Sequence, residues 1–479
     1  MSKIKLLLVT DSAAIHTGLA ETTRLVFRKL LEKHPDKYDI HQLGWYNIRA
    51  AESVPWPIYN THVNTKPDGK AELDPTDRYG QRTFESIREK IKPDIVYSNG
   101  DLWCFDHILN SPNRNSFRLV TYYTIDGTPY WGGWLEPDEK SEWGEKLVKA
   151  DRLVVLTEWG EHVLKNSCPE LKDFPIEVIY HPSVTERFKV LDDEEKKIVR
   201  QKIYSPQINL DGFIMGWVGR NQFRKQNHKM WEVLHYMMYG DYIQCNACHR
   251  VTPKEWDHAA RKTREVGALM MYDADYDYES CWHCKSDNVV EGKPLDDVYL
   301  WFHMNKQDPG WNPDLHSRLW DCDTRCIYTG GLDTSQGLPP DALAQLISSW
   351  DTMLYLSGGE GFGIPAYESI QCGVPVVYSN YSSHADFCKH GGLPVRVGFQ
   401  PELAFAIQRA VADTGHAIEQ ILKLYNDRQL GKTLGQSGRE YAATHDVNII
   451  ADKWDKVFTE MMDKPLPSAG NEKIYAQTV

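Results

Sequence analysis

The chain lacks any apolar run long enough to cross a membrane. Its N-terminal apolar segment, residues 4–9, is far shorter than the ~20 residues that a spanning helix needs, and no signal-peptide cleavage region follows it. We therefore expect no membrane span and a cytoplasmic location. An excess of positive charge is also missing, because 54 Lys and Arg stand against 67 Asp and Glu, a net charge of −13. This balance excludes the global positive field of a nucleic-acid binder, although not a local basic groove.

The length predicts more than one domain. A chain of 479 residues is too long for one ordinary core, and its 41% hydrophobic and 25% charged residues are typical of a globular protein. No internal repeat is visible. We predict two doubly wound, Rossmann-like domains in tandem, over residues 1–190 and 191–463. An insertion at 240–292 and a mobile tail at 464–479 complete this division.

Strand and helix patterns alternate along both halves. Each buried-strand pattern is followed by an amphipathic helix, which predicts the α/β class with parallel sheets and helices on both faces. The predicted strands cover residues 5–10, 94–98, 118–123, 152–157, 212–218, 298–304, 326–329, 353–357 and 374–379. The predicted helices include residues 19–33, 225–239, 340–350 and 447–462.

The most informative segment is a glycine-rich loop with two carboxylates. Residues 358–375 read Gly-Gly-Glu-Gly-Phe-Gly-Ile-Pro-Ala-Tyr-Glu-Ser-Ile-Gln-Cys-Gly-Val-Pro. A helix is predicted to begin near Pro365, with Glu360 on the loop and Glu368 in the first turn. Backbone N–H groups at a helix start attract anions, and carboxylates accept hydrogen bonds from hydroxyls. The loop therefore suits a ligand that is part sugar and part phosphate.

A basic loop in the same half provides the complementary charge. Gly219-Arg220-Asn221-Gln222-Phe223-Arg224-Lys225 follows a predicted strand and opens a helix. Arg220 and Lys225 at such a junction are suited to a diphosphate, which arginine contacts through a planar fork and lysine as a point charge. A solvated basic loop is the alternative, and the glutamate loop favours the diphosphate hypothesis.

The insertion at 240–292 carries two C-x-x-C pairs. They are Cys245 with Cys248 and Cys281 with Cys284. Two such pairs indicate one tetrahedral zinc ion, whereas a redox pair or plain buried cysteines are the alternatives. His249 and His283 are interpreted as neighbours, because four cysteines already complete a structural site.

The expected role of this zinc ion is structural, because four thiolates leave no open coordination position. The insertion holds six Lys and Arg and ten Asp and Glu, a net charge of −4. This charge argues against nucleic-acid binding. We expect an interaction or acceptor-docking module, with self-association through the insertion as one form of it. Cys322 and Cys326 are interpreted as ordinary thiols.

The second half resembles the retaining nucleotide-sugar glycosyltransferases of family 4, which have the two-domain GT-B fold with a cleft between the domains. Their donor domain carries G-R-x-x-x-x-K after a strand, and then E-G-F-G-x-P-x-x-E followed by A-x-G-x-P-V-V. The chain matches with Gly219-Arg220 and Lys225, with residues 360–368, and with Cys372-Gly-Val-Pro-Val-Val377. The match covers most of residues 212–380, interrupted by the zinc insertion.

This resemblance implies a role for each matching residue. Arg220 and Lys225 would neutralise the departing diphosphate, so no catalytic metal is expected. Glu360 would contact the donor sugar near its reacting face, and Glu368 the ribose. The loop residues that would help to hold phosphate or sugar oxygens are Gly361, Phe362, Gly363 and Ile364.

The first half matches the family less well. Where the family has adjacent glycines near the diphosphate, this chain has only Gly18. Asp126, followed by Gly127, resembles an acidic residue that a subset of the family places near the anomeric carbon. A turn aspartate is an equally good interpretation of Asp-Gly. The aromatic cluster of Tyr130, Trp131 and Trp134 is either an acceptor platform or core packing.

The leading hypothesis is a retaining transferase that moves a hexose-type sugar from a UDP- or GDP-linked donor to an unidentified acceptor (a glycan, a lipid-linked sugar, a protein or a DNA base). Three alternatives remain open. A metal-dependent transferase would use the D-x-D patterns at residues 273–277 and 321–323, which do not follow nucleotide-binding strands. The others are a catalytically silent nucleotide-sugar-binding protein that interacts through the zinc module, and a transferase acting on modified DNA bases.

Overall fold

A computed structural model gives the fold as two compact units. It describes residues 3–47, 52–66, 71–130, 140–254, 256–257, 262–263, 279–330, 338–402 and 404–466. The first unit comprises Met1–Ser183, Pro401–Gln408 and Thr444–Val479, and the second comprises Val184–Gln400 and Arg409–Ala443. No helix of the described residues is long and apolar enough to cross a membrane.

The first unit is built on a seven-stranded parallel sheet. The strands in this region are β1 Ile4–Asp11, β2 Tyr38–Trp45, β3 Ile58–Asn60, β4 Val63–Thr65, β5 Ala71–Leu73, β6 Ile95–Gly100, β7 Arg118–Tyr123, β8 Arg152–Val155 and β9 Ile176–Val178. The helices are α1 Gly18–Lys33, α2 Phe84–Ile91, α3 Asp106–Leu109, α4 Glu142–Leu147 and α5 Glu158–Ser167. The order in the sheet is β3-β2-β1-β6-β7-β8-β9, and β4 pairs with β5 separately.

The second unit is built on a six-stranded parallel sheet. The strands from here to residue 412 are β10 Phe213–Val218, β11 Tyr242–Cys245, β12 Val251–Pro253, β13 Trp256–Asp257, β14 Lys262–Thr263, β15 Val289–Glu291, β16 Val298–His303, β17 Cys326–Tyr328, β18 Thr352–Tyr355, β19 Val376–Ser379, β20 Gly392–Val395, β21 Val397–Glu402 and β22 Ile407–Ala412. The helices are α6 Asp193–Ile203, α7 Asn227–Tyr239, α8 Pro313–Leu319, α9 Pro340–Ser348, α10 Ile364–Gln371, α11 Ser383–Cys388, α12 Thr414–Asn426 and α13 Arg428–Ala443. The order in the main sheet is β17-β16-β10-β18-β19-β20, while β12-β11-β15, β13-β14 and β21-β22 form small separate sheets.

The central strand β10 is apolar throughout, and one of its positions requires glycine. Every residue of β10 is buried. A Cβ built on Gly216 would lie 1.9 Å from the ring of Trp350, so the indole occupies the space that a side chain would need. Glycine is therefore required here by close packing rather than by backbone conformation.

A buried ion cluster fixes β18 beside β10. The Asp351 carboxylate accepts hydrogen bonds from Lys196 Nζ at 2.8 Å, from Arg200 Nη2 at 2.7 Å and from the Ile214 N–H at 2.7 Å. Burial would raise the pKa of Asp351, but the two cations outweigh it and lower this pKa to about 2. Helix α6, which supplies Lys196 and Arg200, thus anchors the sheet.

The α/β class and the two parallel sheets predicted from sequence are confirmed. The division of the chain differs from the prediction of 1–190 and 191–463, because the last helix, α14 Val447–Met462, belongs to the first unit. Its Trp454 and Phe458 rings pack against Tyr97 of β6. An amphipathic pattern shows that one face of a helix is buried but not which sheet covers it. Residues 467–479 of the predicted tail lie outside the described residues.

Candidate active site and cysteine cluster

The two predicted loops meet at the switch point of the second sheet. β16 and β17 lie on one side of β10, whereas β19 and β20 lie beyond its other neighbour, β18. Ligands of open α/β sheets bind at the carboxyl ends of strands where the order reverses in this way. Residues 219–226 follow β10 and residues 356–363 follow β18, so both loops leave this edge.

Glu360 lies between two cations at this edge. The Lys225 ammonium donates a hydrogen bond to Glu360 Oε1, and Arg224 Nη1 donates to Glu360 Oε2 over 3.1 Å. The Lys225 and Glu360 side chains are only 9% and 5% exposed, whereas Arg224 is 29% exposed. Together the three groups carry one net positive charge, which is the sign that a diphosphate requires.

The two cations keep Glu360 ionised. Burial favours the neutral carboxyl, but the charges of Lys225 and then Arg224 outweigh it and hold the pKa of Glu360 well below its usual range. Burial lowers the pKa of the neighbouring His384 to about 4, so this imidazole is neutral near pH 7. The centre is therefore an ionised carboxylate with two cations and a neutral histidine.

Arg220 does not join this ion cluster in the structure. Its guanidinium is 71% exposed and lies 3.4 Å from Asp308 Oδ1, in the loop after β16. The arginine that lies beside Glu360 is Arg224, to which the sequence prediction gave no role. The adjacent pair of basic residues, Arg224 and Lys225, was the available signal, because only Lys225 occupies the matching motif position.

The glycine-rich loop leads into α10 as predicted, with one difference. Gly363 is the residue before the helix, and its φ of +101° is a left-handed conformation that favours glycine. Phe362 is buried, with its ring 4.8 Å from that of Phe387, so its side chain packs in the core. Glu368 was predicted in the first turn. It lies in the second, because α10 begins at Ile364 and not at Pro365.

In the first unit, Gly18 opens α1 beside a buried carboxylate. Thr17 caps this helix, accepting a hydrogen bond from the Ala20 N–H over 3.1 Å, and its hydroxyl donates to Asp11 Oδ2. Asp11 ends β1 and is buried, and burial raises its pKa to about 6 against the effect of the Thr17 hydrogen bond. Sequence reasoning did not single out Asp11, since a polar residue at a strand end is common.

Asp126 lies in an irregular segment three residues beyond β7 and is half-buried. The next residue, Gly127, packs so closely against Ile407 that a Cβ there would lie 2.6 Å from its Cδ1. Tyr130 is buried, which favours core packing for it. Trp131 and Trp134 of the predicted aromatic cluster lie outside the described residues.

The four predicted metal ligands come together in the second unit. The sulfur atoms of Cys245, Cys248, Cys281 and Cys284 all lie within 4.8 Å of one another. Cys245 Sγ is 3.5 Å from Cys284 Sγ, and Cys248 Sγ is 3.5 Å from Cys281 Sγ. Zn–S bonds of about 2.3 Å place tetrahedral sulfurs ~3.8 Å apart, so the donor set fits one zinc ion.

Both cysteine pairs share one turn geometry. His249 follows the first pair with φ +61°, and Lys285 follows the second with φ +60°. In each turn the residue after the pair donates its N–H to the carbonyl of the first cysteine. His283 Nδ1 lies 2.7 Å from Arg250 Nη1, a contact to an arginine rather than to a sulfur.

The cysteine module is anchored on α12. The Val251 N–H donates to Glu419 Oε1 over 2.9 Å, and a Cβ on Gly415 would lie 2.4 Å from the Val251 carbonyl oxygen. These contacts tie β12 to the second unit. Of the alternative D-x-D patterns, residues 273–277 lie outside the described residues. Asp321 and Asp323 precede β17, at the edge opposite to the candidate site.

A protein-family model matches the part of the chain that contains the glutamate loop. Residues 331–441 match the model of the family Glycosyl transferases group 1. The matched range includes Glu360, Glu368, the helices α9 to α12 and most of α13, whereas the loop with Arg220 and Lys225 precedes it.

Two curated relatives match shorter stretches. The chain is 36% identical over 84 residues to an O-antigen chain mannosyltransferase B of Escherichia coli, which is 18% of this chain and 21% of that protein. It is 30% identical over 100 residues to an N-acetyl-alpha-D-glucosaminyl L-malate synthase of Bacillus anthracis, which is 21% of this chain and 23% of that protein. The chain thus spans less than a quarter of the length of these relatives.

Solved structures share the whole fold at low identity. A sucrose-phosphate synthase from Thermosynechococcus elongatus has a TM-score of 0.62 at 13% identity, covering 96% of this chain and 100% of its own. A glycosyltransferase from Rickettsia africae gives 0.61 at 14% identity, covering 97% and 100%. HepE from Anabaena, solved with UDP and glucose, gives 0.57 at 12% identity, covering 95% and 100%. This likeness shows that the fold is that of GT-B glycosyltransferases.

Proposed function

We propose that the chain is a retaining glycosyltransferase of the family 4 type that transfers a hexose-type sugar from a UDP- or GDP-linked donor to an acceptor. The observation that carries the proposal is the ion cluster of Glu360, Lys225 and Arg224 at the switch point of the second sheet. The match of residues 331–441 to Glycosyl transferases group 1 supports the reaction class. Neighbours of the same fold bound to UDP and a sugar support the donor class.

In the proposed reaction the bond between the anomeric carbon and the diphosphate breaks, and negative charge grows on the diphosphate. Lys225, Arg224 and the exposed Arg220 stabilise this charge, and such preorganised groups contribute most when water is excluded. The reaction therefore needs no catalytic metal. The acceptor oxygen bonds to the same face of the anomeric carbon, and its proton passes to the departing phosphate oxygen.

The proposed role of Glu360 is to accept hydrogen bonds from the donor sugar. A carboxylate offers about four acceptor positions, and the two cations require only two of them. Glu368 is proposed to bind the ribose, and the loop residues from Gly361 to Ile364 to hold oxygens at the start of α10. In the first unit Gly18 and Asp126 are proposed to act toward the diphosphate and the reacting sugar.

We also propose that Cys245, Cys248, Cys281 and Cys284 hold a structural zinc ion. Bound zinc would supply a rigid cross-link between the two cysteine turns, and all chemistry of transfer would stay at the second sheet. The module would then serve an acceptor-docking or self-association role in a cytoplasmic enzyme.

A donor panel tests the proposed function directly. Purified protein is incubated with UDP- and GDP-linked hexoses, and release of the nucleoside diphosphate and the thermal midpoint are recorded. We expect one donor class to be hydrolysed slowly and to raise the midpoint. A raised midpoint without hydrolysis or transfer would instead favour a silent binding protein, and no response to any donor would reject the proposal.

Two variants, each compared with a matched control, test whether Glu360 and Lys225 belong to the active site. Glu360→Gln is expected to reduce turnover at least ~100-fold, the scale of losing a transition-state contact, while Glu232→Gln, a matched glutamate paired with Lys229, keeps wild-type turnover. Lys225→Ala is expected to weaken binding of the nucleoside diphosphate in calorimetry, with Lys229→Ala as its control. Near wild-type turnover of the Glu360 variant would remove this residue from the reaction.

A further inference from the structure

A continuous chain of hydrogen bonds leads to the backbone of Glu360. The Glu360 N–H donates to Ser382 Oγ over 2.9 Å, Ser382 Oγ lies 3.1 Å from His384 Nδ1, and His384 Nε2 lies 3.2 Å from Ser379 Oγ. The Ser379 hydroxyl donates to the carbonyl oxygen of Ser357. The chain thus begins and ends on the backbone of the glutamate loop.

The two ends of this chain and the neutral state of His384 together fix the direction of every bond in it. The Glu360 N–H can only donate, and the Ser357 carbonyl can only accept. The Ser379 hydroxyl donates to Ser357, so it must accept from His384 Nε2–H. Burial lowers the pKa of His384 to about 4 and keeps the imidazole neutral at pH 7, so Nδ1 carries no proton and accepts from the Ser382 hydroxyl, which in turn accepts from the Glu360 N–H.

Ser382 occupies a backbone conformation that serine rarely adopts. Its φ of +60° and ψ of −173° belong to a region that is populated almost only by glycine, and such strain costs about 1–3 kcal/mol. The residue is fully buried. Because glycine would remove this strain, its absence indicates that the serine hydroxyl has a function that outweighs the cost.

The imidazole of His384 is packed tightly on several sides. Its ring lies edge-on to that of Tyr355 with centroids 5.4 Å apart, and edge-on to that of Tyr378 at 6.2 Å. A Cβ on Gly363 would lie 2.8 Å from the His384 Cβ, so the loop before α10 packs directly against it. The imidazole is thus fixed between two rings and the glutamate loop.

We propose that Ser382 and His384 are positioning residues for the transfer reaction, which hold the Glu360 backbone so that its carboxylate stays between Lys225 and Arg224. The inference rests on the proposed function and adds two residues that contact neither donor nor acceptor in it. Both act through Glu360, so their loss lowers turnover more than it lowers donor affinity.

Ser382→Gly separates positioning from stability, because it removes the hydroxyl while relieving the backbone strain. We expect a thermal midpoint close to that of the wild type, donor KM changed less than about threefold and kcat lowered roughly 100-fold, the scale of an ~1 Å misplacement. The control is Ser348→Ala, a buried serine of α9 that donates to the Lys189 and Ala344 carbonyls, for which kcat stays at the wild-type value. Wild-type kcat in Ser382→Gly would overturn the proposal.

Two substitutions at His384 test the order of the chain. His384→Asn keeps an acceptor oxygen at the position of Nδ1, so we expect it to retain clearly more kcat than His384→Phe, which keeps the ring and loses both nitrogens. Equal kcat in the two folded variants would contradict the proposal. If the Phe variant does not fold, wild-type kcat in both His384→Asn and Ser382→Gly would contradict it.

The proton position on His384 provides a test that needs no turnover. In protein labelled with ¹⁵N-histidine and assigned with the His384→Asn variant, we expect NMR to show the neutral Nε2–H tautomer at pH 7. An imidazolium or the Nδ1–H tautomer would refute the hydrogen-bond chain. A wild type that is inert toward every donor would instead refute the proposed function, so the two failures are distinguishable.

Discussion

Replacing Glu360 by glutamine is expected to move stability and ligand affinity in opposite directions. The substitution preserves shape and one acceptor oxygen but removes the charge that lies between Lys225 and Arg224. Loss of one partner of a buried ion pair costs about 3–5 kcal/mol, and the Lys225 side chain is only 9% exposed. We expect the free energy of unfolding of the unliganded protein to fall by roughly 3 kcal/mol, since Arg224 is partly solvated.

The same change raises the net charge of the three groups from +1 to +2. One more uncompensated positive charge about 6 Å from a diphosphate is worth on the order of 1–3 kcal/mol at an effective dielectric constant near 20. Calorimetry should therefore show UDP or GDP binding roughly tenfold to a hundredfold more tightly to Glu360→Gln than to the wild type, with a steeper salt dependence. Turnover falls even though the nucleoside diphosphate binds better.

A double-mutant cycle that combines Glu360→Gln with Lys225→Met measures the interaction energy between Lys225 and Glu360. If the buried ammonium causes the destabilisation, adding Lys225→Met to Glu360→Gln should restore most of the unfolding free energy in urea titrations.

The contribution of the Glu360 carboxylate to the free energy of unfolding should not vary between pH 5 and 8. Its pKa is lowered in the folded protein, so the stability is present above the usual carboxyl pKa and is lost only in strong acid. Weaker diphosphate binding to Glu360→Gln would refute the electrostatic reasoning.

Three further substitutions probe the sheets and the cysteine module. Gly216→Ala should lower the unfolding free energy by about 3 kcal/mol or more, because its Cβ would clash with the Trp350 ring, and unchanged urea denaturation would contradict this packing. Burial raises the pKa of Asp11 from 3.8 to about 6, so the native state loses stability as pH rises between these values. In thermal melts, Asp11→Asn should therefore have a free energy of unfolding up to ~3 kcal/mol above that of the wild type when the pH exceeds 6. Below pH 4 the two proteins should be equally stable. Elemental analysis should find one zinc per chain, and Cys281→Ser should lower this content, whereas wild-type zinc in the variant would exclude the four-sulfur site.

The sequence predicted that the glutamate loop and the basic loop each follow a strand of the same domain, as they do in the structure. The order of strand, glycine-rich loop and helix predicted where Glu360 lies, and the basic loop was predicted to follow a strand of the same domain, as it follows β10, whereas the ion pairs of Arg224 and Lys225 with Glu360 were not predicted. The four cysteines could be grouped from spacing alone, because C-x-x-C pairs form local turns whose geometry does not depend on distant contacts. These features are local, and local sequence patterns can be interpreted without knowledge of the tertiary structure.

Which long basic side chain pairs with which carboxylate could not be predicted from the sequence in the same way. Arg220 and Arg224 are four positions apart in one loop, and only the path of that loop turns Arg224 toward Glu360 and leaves Arg220 beside Asp308. His384 gave no signal at all, because the hydrogen bonds around it join two segments, residues 357–360 and 379–384, that only the fold brings together. The strand β2 was missed because tertiary burial, rather than an apolar run, makes it a strand.

By itself the sequence determined the α/β class, the glutamate and basic loops at the carboxyl ends of two strands, and the pairing of four cysteines, because each depends on periodicity or on close spacing along the chain. Only the tertiary structure decided that α14 packs on the first sheet, that Arg224 joins Lys225 at Glu360, and that Ser382 accepts a hydrogen bond from the Glu360 N–H. These outcomes depend on which buried surfaces and polar groups meet. That is set by the free energy of packing many distant segments at once and not by any one of them.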